Sequence, residues 1–222
     1  MIGCEYLRLL AWLCAIVPGS GFASQAPVHV SSASAVMSAL QDWKDRHGAN
    51  WRIERDSLTG FASMVYGGGA PARLWPASDA DWIWVAREHV QATLGLHGVD
   101  EGTLVPDARP VRFLPLGRLP HGSDKVSVRF RQYAADIPVD DGHVNVLMSA
   151  DGRMLSMQST ASPFLARLDL SARLGEQEAT NIALEAFVRR VGFYPTVPVS
   201  EPRIAVKQAV MQGLRVPRLA WV

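Results

Sequence analysis

The sequence predicts an α+β chain of two small lobes, each an antiparallel sheet packed on helix. Three observations predict it. Residues 126–159 read as three short strands joined by two turns. Val126, Val128 and Phe130 alternate with Ser127, Arg129 and Arg131, and Val144, Val146 and Met148 alternate with His143, Asn145 and Leu147. A period of two turns one set of side chains to a core and the other to water. Segments before and after this meander carry apolar residues at helical spacing instead. After Ser159 the chain changes character, and residues 163–171 read as a connector. The division drawn is therefore 1–23 as a processed leader, 24–162 as the first lobe and 163–222 as the second.

The leader rests on its composition. Arg8 precedes an apolar run from Leu9 to Val17, and Pro18-Gly19-Ser20 breaks it. Gly21 and Ala23 then stand at −3 and −1 of a cleavage site before Ser24, as in a secretory signal peptide. The run is too short to span a bilayer, which argues against a stable membrane anchor. Both cysteines, Cys4 and Cys14, lie within it. The mature chain is thus expected to hold no disulfide, thiolate metal site or cysteine nucleophile, in a secreted or periplasmic setting. The 222 residues carry a formal charge of +1 and 48% hydrophobic content. That is an ordinary globular balance, with no electrostatic case for nucleic acid.

Taken in order, residues 32–47 read as a helix, with Val36, Leu40 and Trp43 on one stripe and Gly48 ending it. Trp51 and Ile53, then Phe61, Ser63 and Val65, form a hairpin across a turn at residues 56–60. Gly67-Gly68-Gly69 lacks the Gly-Lys-Ser/Thr of a phosphate loop and is read as a flexible turn closing the hairpin. Residues 78–94 form a second helix, capped by Ser78 with Asp81, with a stripe of Ile83, Ala86, Val90 and Leu94 and a stop at Gly95. Trp82 and Trp84 lie off that stripe and are assigned to packing against a loop or sheet edge. Val111 and Phe113 suggest a strand, followed by a loop over 115–122. In the meander itself, Ala135-Asp136 and Ala150-Asp151-Gly152 supply the turns, and Pro138, without a ladder donor, belongs at a strand start or edge. Residues 176–190 form a third helix, acidic at its start and basic at its end, closed by Gly192. Ile204, Val206 and Val210 form a strand, and after Gln212-Gly213 another carries Leu219 and Trp221.

Gln132, Ile137-Pro138-Val139, Gly142 and Asp151-Gly152-Arg153 resemble the FTP motif of fungalysin and thermolysin propeptides, which reads Q-x-x-x-G-[IV]-P-V-x-G-G, a hydrophobic strand, then D-G-[KR]. Asp136 stands where that pattern has Gly, and Asp140-Asp141 replaces an apolar-Gly pair. Upstream, the stretch from Trp51 to Phe61 is similar to the W-x-[VI]-x-x-D-x-x-T-G-x that often precedes the motif. Downstream, the helix and hairpin resemble a PepSY-type half-barrel, and Arg218-Leu219-Ala220-Trp221-Val222 is similar to its R-L-x-W-x-V strand. The resemblance implies cystatin-like, half-barrel lobes.

No catalytic constellation appears. A peptidase of that class needs H-E-x-x-H on a helix, two His ligating zinc and a Glu activating water; Arg87-Glu88-His89 has no partner His four residues on. His29, His47, His89, His97, His121 and His143 show no ligand spacing and are read as surface or partly buried histidines. Asp136, Asp140 and Asp141-Gly142 do not fit a calcium loop, because Pro138 falls at position 3 and the Gly one place late. Catalytic, cofactor and metal residues are therefore all assigned as none, and no cofactor is expected.

What the resemblance implies is a secreted propeptide that assists the folding of a zinc metallopeptidase domain and inhibits it, in cis downstream or in trans. The chain stops in a strand at Val222, so it is read as a fragment of a longer precursor. The competing reading is a stand-alone secreted peptidase inhibitor or ligand-binding module acting in trans.

Overall fold

A computed structural model describes residues 33–114, 124–163, 165, 168, 170–171, 175–192, 203–211 and 214–221. The 1–23 leader, His29, His121, the 115–122 loop and the Gln212-Gly213 turn lie outside the described residues. The fold is α+β: an open, curled sheet of half-barrel form packed against a few helices. Its elements are helix α1 (Ala33–His47), strands β1 (Arg52–Arg55) and β2 (Ala62–Ala70), helices α2 (Asp79–Ala92) and α3 (Leu94–His97), a 3-10 turn (Glu101–Thr103), strands β3 (Leu104–Leu114), β4 (Lys125–Ala134), β5 (Ile137–Ser149) and β6 (Met154–Ser159), helix α4 (Glu176–Val191), and strands β7 (Ile204–Met211) and β8 (Leu214–Trp221).

The sheet runs β1-β2-β6-β5-β4-β3, every neighbour antiparallel. The two-residue turn at Ala135-Asp136 sets the β4–β5 register, with Ala134 opposite Ile137 and Val128 opposite Val146. The left-handed residue of that turn is Ala135, at φ 52°, and not Asp136. Alternation holds as read from the sequence: Val126, Val128, Phe130, Val144, Val146 and Met148 are all buried. Each contributes about 1.5–3 kcal/mol of transfer free energy against the exposed state. Pro138 takes the second position of β5, where a missing ladder donor costs little.

In α1, Val36, Leu40 and Trp43 face the core, and Gly48 ends the helix at φ 100°. Trp43 meets Trp51 edge-on, with centroids 5.5 Å apart, which ties the helix to the first hairpin. In α2 the predicted capping box is present: Ser78 Oγ accepts from the Asp81 N–H, and the Asp81 carboxylate accepts from the Ser78 N–H. The buried face, however, is Trp82, Val85, Ala86, His89 and Val90. The stripe read from the sequence is rotated, because Trp82 buries more apolar area than Ile83 and meets Phe113 of β3 edge-on at 6.2 Å. Leu94 is left exposed. Gly95 does not close the helix either. The Thr93 hydroxyl donates to the His89 and Val90 carbonyls, the chain makes the one further turn α3, and Gly98 stops it at φ 66°.

The glycine triplet is not a flexible turn. β2 continues through it to Ala70, with an irregular register against β6 between Tyr66 and Ala70. A Cβ on Gly67 would lie 2.3 Å from the Asn50 carbonyl oxygen, and one on Gly68 2.9 Å from Trp51 Nε1. Close backbone approach explains these residues.

Two hydrophobic clusters result. The larger gathers the inward residues of β1–β6 with α1, α2 and α3. The smaller is Ala134, Val139, Leu165 and Val206, flanked by Ile137, Leu168, Leu170 and Leu219. The smaller cluster lies at the start of β5, where Val139 pairs in parallel with Val206 of β7, which in turn pairs antiparallel with β8.

Candidate functional site

The motif begins at Gln132. Alternation along β4 places it on the core side after Val126, Val128 and Phe130, so an amide enters an apolar layer with only 1% of its surface exposed. A buried amide needs partners for both ends. Its Oε1 accepts from the Ser162 N–H at 2.7 Å, and its Nε2 donates to the Ser162 carbonyl at 2.8 Å and to Thr103 Oγ1 at 3.3 Å. The side chain thus imitates one strand pair and fixes the chain where it leaves β6 for the second cluster.

Gly142 lies beneath this contact. A Cβ there would fall 2.7 Å from Val139 Cγ1 and 3.2 Å from Gln132 Cβ, so no larger residue fits. Asp141 before it adopts φ 58°, a left-handed conformation that Asp tolerates better than most residues, and its carbonyl accepts from Thr160 Oγ1 at 2.5 Å. Asp140, the other departure from the family pattern, forms an ion pair with Lys207 of β7. Asp136 is exposed in the turn.

The second turn is built from Asp151-Gly152-Arg153. Asp151 Oδ1 accepts from Ser149 Oγ at 2.5 Å and from the Arg153 N–H at 3.3 Å, and Arg153 Nε donates to Oδ2 at 3.0 Å. These bonds, the Ser149 hydroxyl first, hold the carboxyl below the usual carboxylate range. Gly152, at φ 81°, packs so closely that a Cβ would lie 3.0 Å from Ala72 Cβ. Its carbonyl accepts from His89 Nε2 at 2.9 Å.

The histidines divide by environment. His89 and His97 are buried and do not belong with the surface histidines, because each has a backbone partner to replace water. His97 Nδ1 accepts from the Val99 N–H and Nε2 donates to the Val90 carbonyl, both at 2.9 Å, which fixes a neutral tautomer. Desolvation pushes its pKa down to about 4. Burial lowers His89 as well. His47 lies against Trp43 in a tilted arrangement with ring centroids 4.1 Å apart, and His143 Nδ1 lies 3.0 Å from Thr160 Oγ1. In Arg87-Glu88-His89 the three side chains diverge. Arg87 donates to the Leu104 and Glu101 carbonyls and lies over the Phe130 ring, Glu88 pairs with Arg73, and His89 holds Gly152.

Among the described residues, no three His, Cys, Asp or Glu side chains come together to hold a metal ion. The cleft lined by Asp56, Thr59, Phe61, His97, Ser159 and Pro163 has room for little more than water. No helix among these residues is long and apolar enough to cross a membrane. The polar groups of the motif are directed at one another and at the backbone, so the arrangement positions strands. Sequence reasoning missed the Gln132–Ser162 link, the Arg87 clamp and the Lys207 partner of Asp140. The first had a signal: a Gln at an inward position of an alternating strand needs a buried partner. No curated protein matches the chain. The family model that does match covers residues 123–161, the span of β4, β5 and β6, and these strands carry the Fungalysin/Thermolysin Propeptide Motif.

Proposed function

We propose that the chain is a prodomain of a thermolysin- or fungalysin-class zinc metallopeptidase precursor, exported from the cytoplasm, which assists folding of the peptidase domain and holds it inactive. The observation that carries this reading is the propeptide motif over residues 123–161, with Gln132, Gly142 and Gly152 each in a position that admits few other residues. Helix α4 with the β7–β8 hairpin is read as the PepSY-like second lobe, which supports the same assignment. The mechanism is linkage: a partner that binds only the folded peptidase stabilises it by mass action, and covalent attachment raises the effective concentration to about mM. This chain supplies surface, and the catalytic zinc site belongs to the peptidase.

The test is a titration of the purified chain against a thermolysin-class peptidase. Dose-dependent loss of activity, slow cleavage of the added chain and faster recovery of refolding peptidase are the expected results. A chain that neither inhibits nor aids refolding overturns the reading and favours a ligand-binding module.

A further inference from the structure

The inward residues of the motif are engaged in packing, so a partner must meet the outward side of the same strands. β3 and β4 carry five basic residues, Arg109, Arg112, Lys125, Arg129 and Arg131, against one acidic residue, Asp107. Because Val126, Val128 and Phe130 point inward, Lys125, Arg129 and Arg131 point outward, and the pairing of Arg112 with Ser127 sets Arg112 on the same face. Asp107 is shared, 2.9 Å from Arg131 Nε and 3.6 Å from Arg129 Nε, and one carboxylate offsets only one of these guanidiniums. Their side chains remain 60% and 40% exposed. The side chains of Arg112 and Lys125 have no ion-pair or hydrogen-bond partner among the described residues.

Directly across from the arginines the neighbouring strand places no acidic side chain; its carboxylates, Asp140 and Asp141, lie towards its start, where Asp140 pairs with Lys207. Opposite Arg131, Arg129 and Ser127 stand His143, Asn145 and Leu147 of β5. Burial first, then the Arg129 guanidinium, lowers the pKa of His143, against the opposing influence of Asp141 and Asp107. Val105, exposed on β3, and Leu147 supply an apolar component beside the arginines. Planar guanidiniums next to apolar side chains are the composition of a protein interface that receives carboxylates.

We propose that the outward face of β3, β4 and the adjoining half of β5 docks an acidic patch on the peptidase domain, an inference that rests on the prodomain reading above. Arg112 and Lys125 meet carboxylates of the partner directly, while Asp107 holds Arg129 and Arg131 in extended array. The partner chemistry is a carboxylate-rich protein surface beside an apolar strip.

Inhibition of a thermolysin-class peptidase is compared for the wild-type chain, the Arg129→Glu/Arg131→Glu chain and the Arg112→Glu/Lys125→Glu chain, at about 50 mM and about 0.5 M salt, because screening separates charge from packing. The expected result is inhibition about tenfold weaker for each variant at low salt, with the difference largely gone at high salt. The first variant orphans Asp107 and can weaken folding; the second breaks no internal ion pair, and its outcome decides. Equal inhibition by wild-type and Arg112→Glu/Lys125→Glu chains overturns the docking face while leaving the prodomain reading intact. A wild-type chain that fails to inhibit at either salt overturns this inference, and one that also fails to aid refolding overturns the prodomain reading with it. Tight binding of the wild-type chain to duplex DNA in place of the peptidase also overturns it.

Discussion

Gln132 on β4 and Ser162 beyond β6 lie thirty residues apart and exchange two hydrogen bonds, so one side-chain amide completes a backbone pairing that no strand supplies. Replacing Gln132 with Leu removes both bonds and leaves a buried N–H and C=O without partners. The expected loss is about 2–4 kcal/mol, since each orphaned group costs about 1–3 kcal/mol. Urea unfolding with an unchanged slope checks it, and a loss under 1 kcal/mol sinks the assignment.

Gly142 and Val139 are expected to be coupled. Gly142→Ala drives a methyl group into Val139 and destabilises the chain by about 1–3 kcal/mol, the usual cost of overpacking. Val139→Ala alone costs a similar amount through lost burial. The double variant regains part of the sum, and a double-mutant cycle measures the coupling. Strict additivity would show that the close approach is not felt.

Ala135 holds a left-handed backbone with no side chain to favour it. Ala135→Gly relieves about 1 kcal/mol of that strain, offset in part by the greater freedom of unfolded glycine. A small rise in thermal midpoint is the expected result, and a fall would place the strain elsewhere.

His97 makes stability depend on pH. Its folded pKa, about 4, lies below the ordinary 6.5, so the folded chain binds fewer protons than the unfolded chain. Stability is therefore fully present above pH 6.5, falls as pH drops from 6.5 towards 4, and levels off below. The loss approaches about 3 kcal/mol, at about 1.4 kcal/mol for each unit between the two values. His89, also lowered by burial, adds in the same direction. The thermal midpoint of His97→Gln, followed from pH 7.5 to 4.5, should show a shallower decline than wild type; parallel curves would remove His97 from the account.

The meander was legible because one force dominates it. Val126, Val128, Phe130, Val144, Val146 and Met148 alternate without interruption, and the second turn places its left-handed backbone on Gly152, although the first places it on Ala135. Gln132, Gly142 and Asp151-Gly152-Arg153 were legible as a pattern before any reason for them was visible. The α2 stripe was misread because Trp82 was set off it, against a loop or sheet edge, and His89 among surface or partly buried histidines; the Trp82 contact with Phe113 of the edge strand β3 agrees with the first assignment, but both residues lie on the buried face. In the folded chain Phe113 and the Gly152 carbonyl, both distant in sequence, complete their environment. The glycine triplet failed for a related reason, since only the fold shows that Asn50 and Trp51 crowd it. Lys207 could not be assigned to Asp140, because nothing local to either residue reveals a partner sixty-seven positions away.

That separation has a consequence for the order in which the protein assembles. As the chain emerges from its amino end, β4, β5 and β6 are complete once Ser159 is available, and their antiparallel pairing is local. On the side away from β4, the stretch of β5 at Val139 and Asp140 then has no neighbour until Val206 and Lys207 arrive. An unpaired edge beside apolar Ile137 and Val139 invites association between nascent chains. The charge at Asp140 guards that edge in the interval, before it becomes the anchor for the closing hairpin.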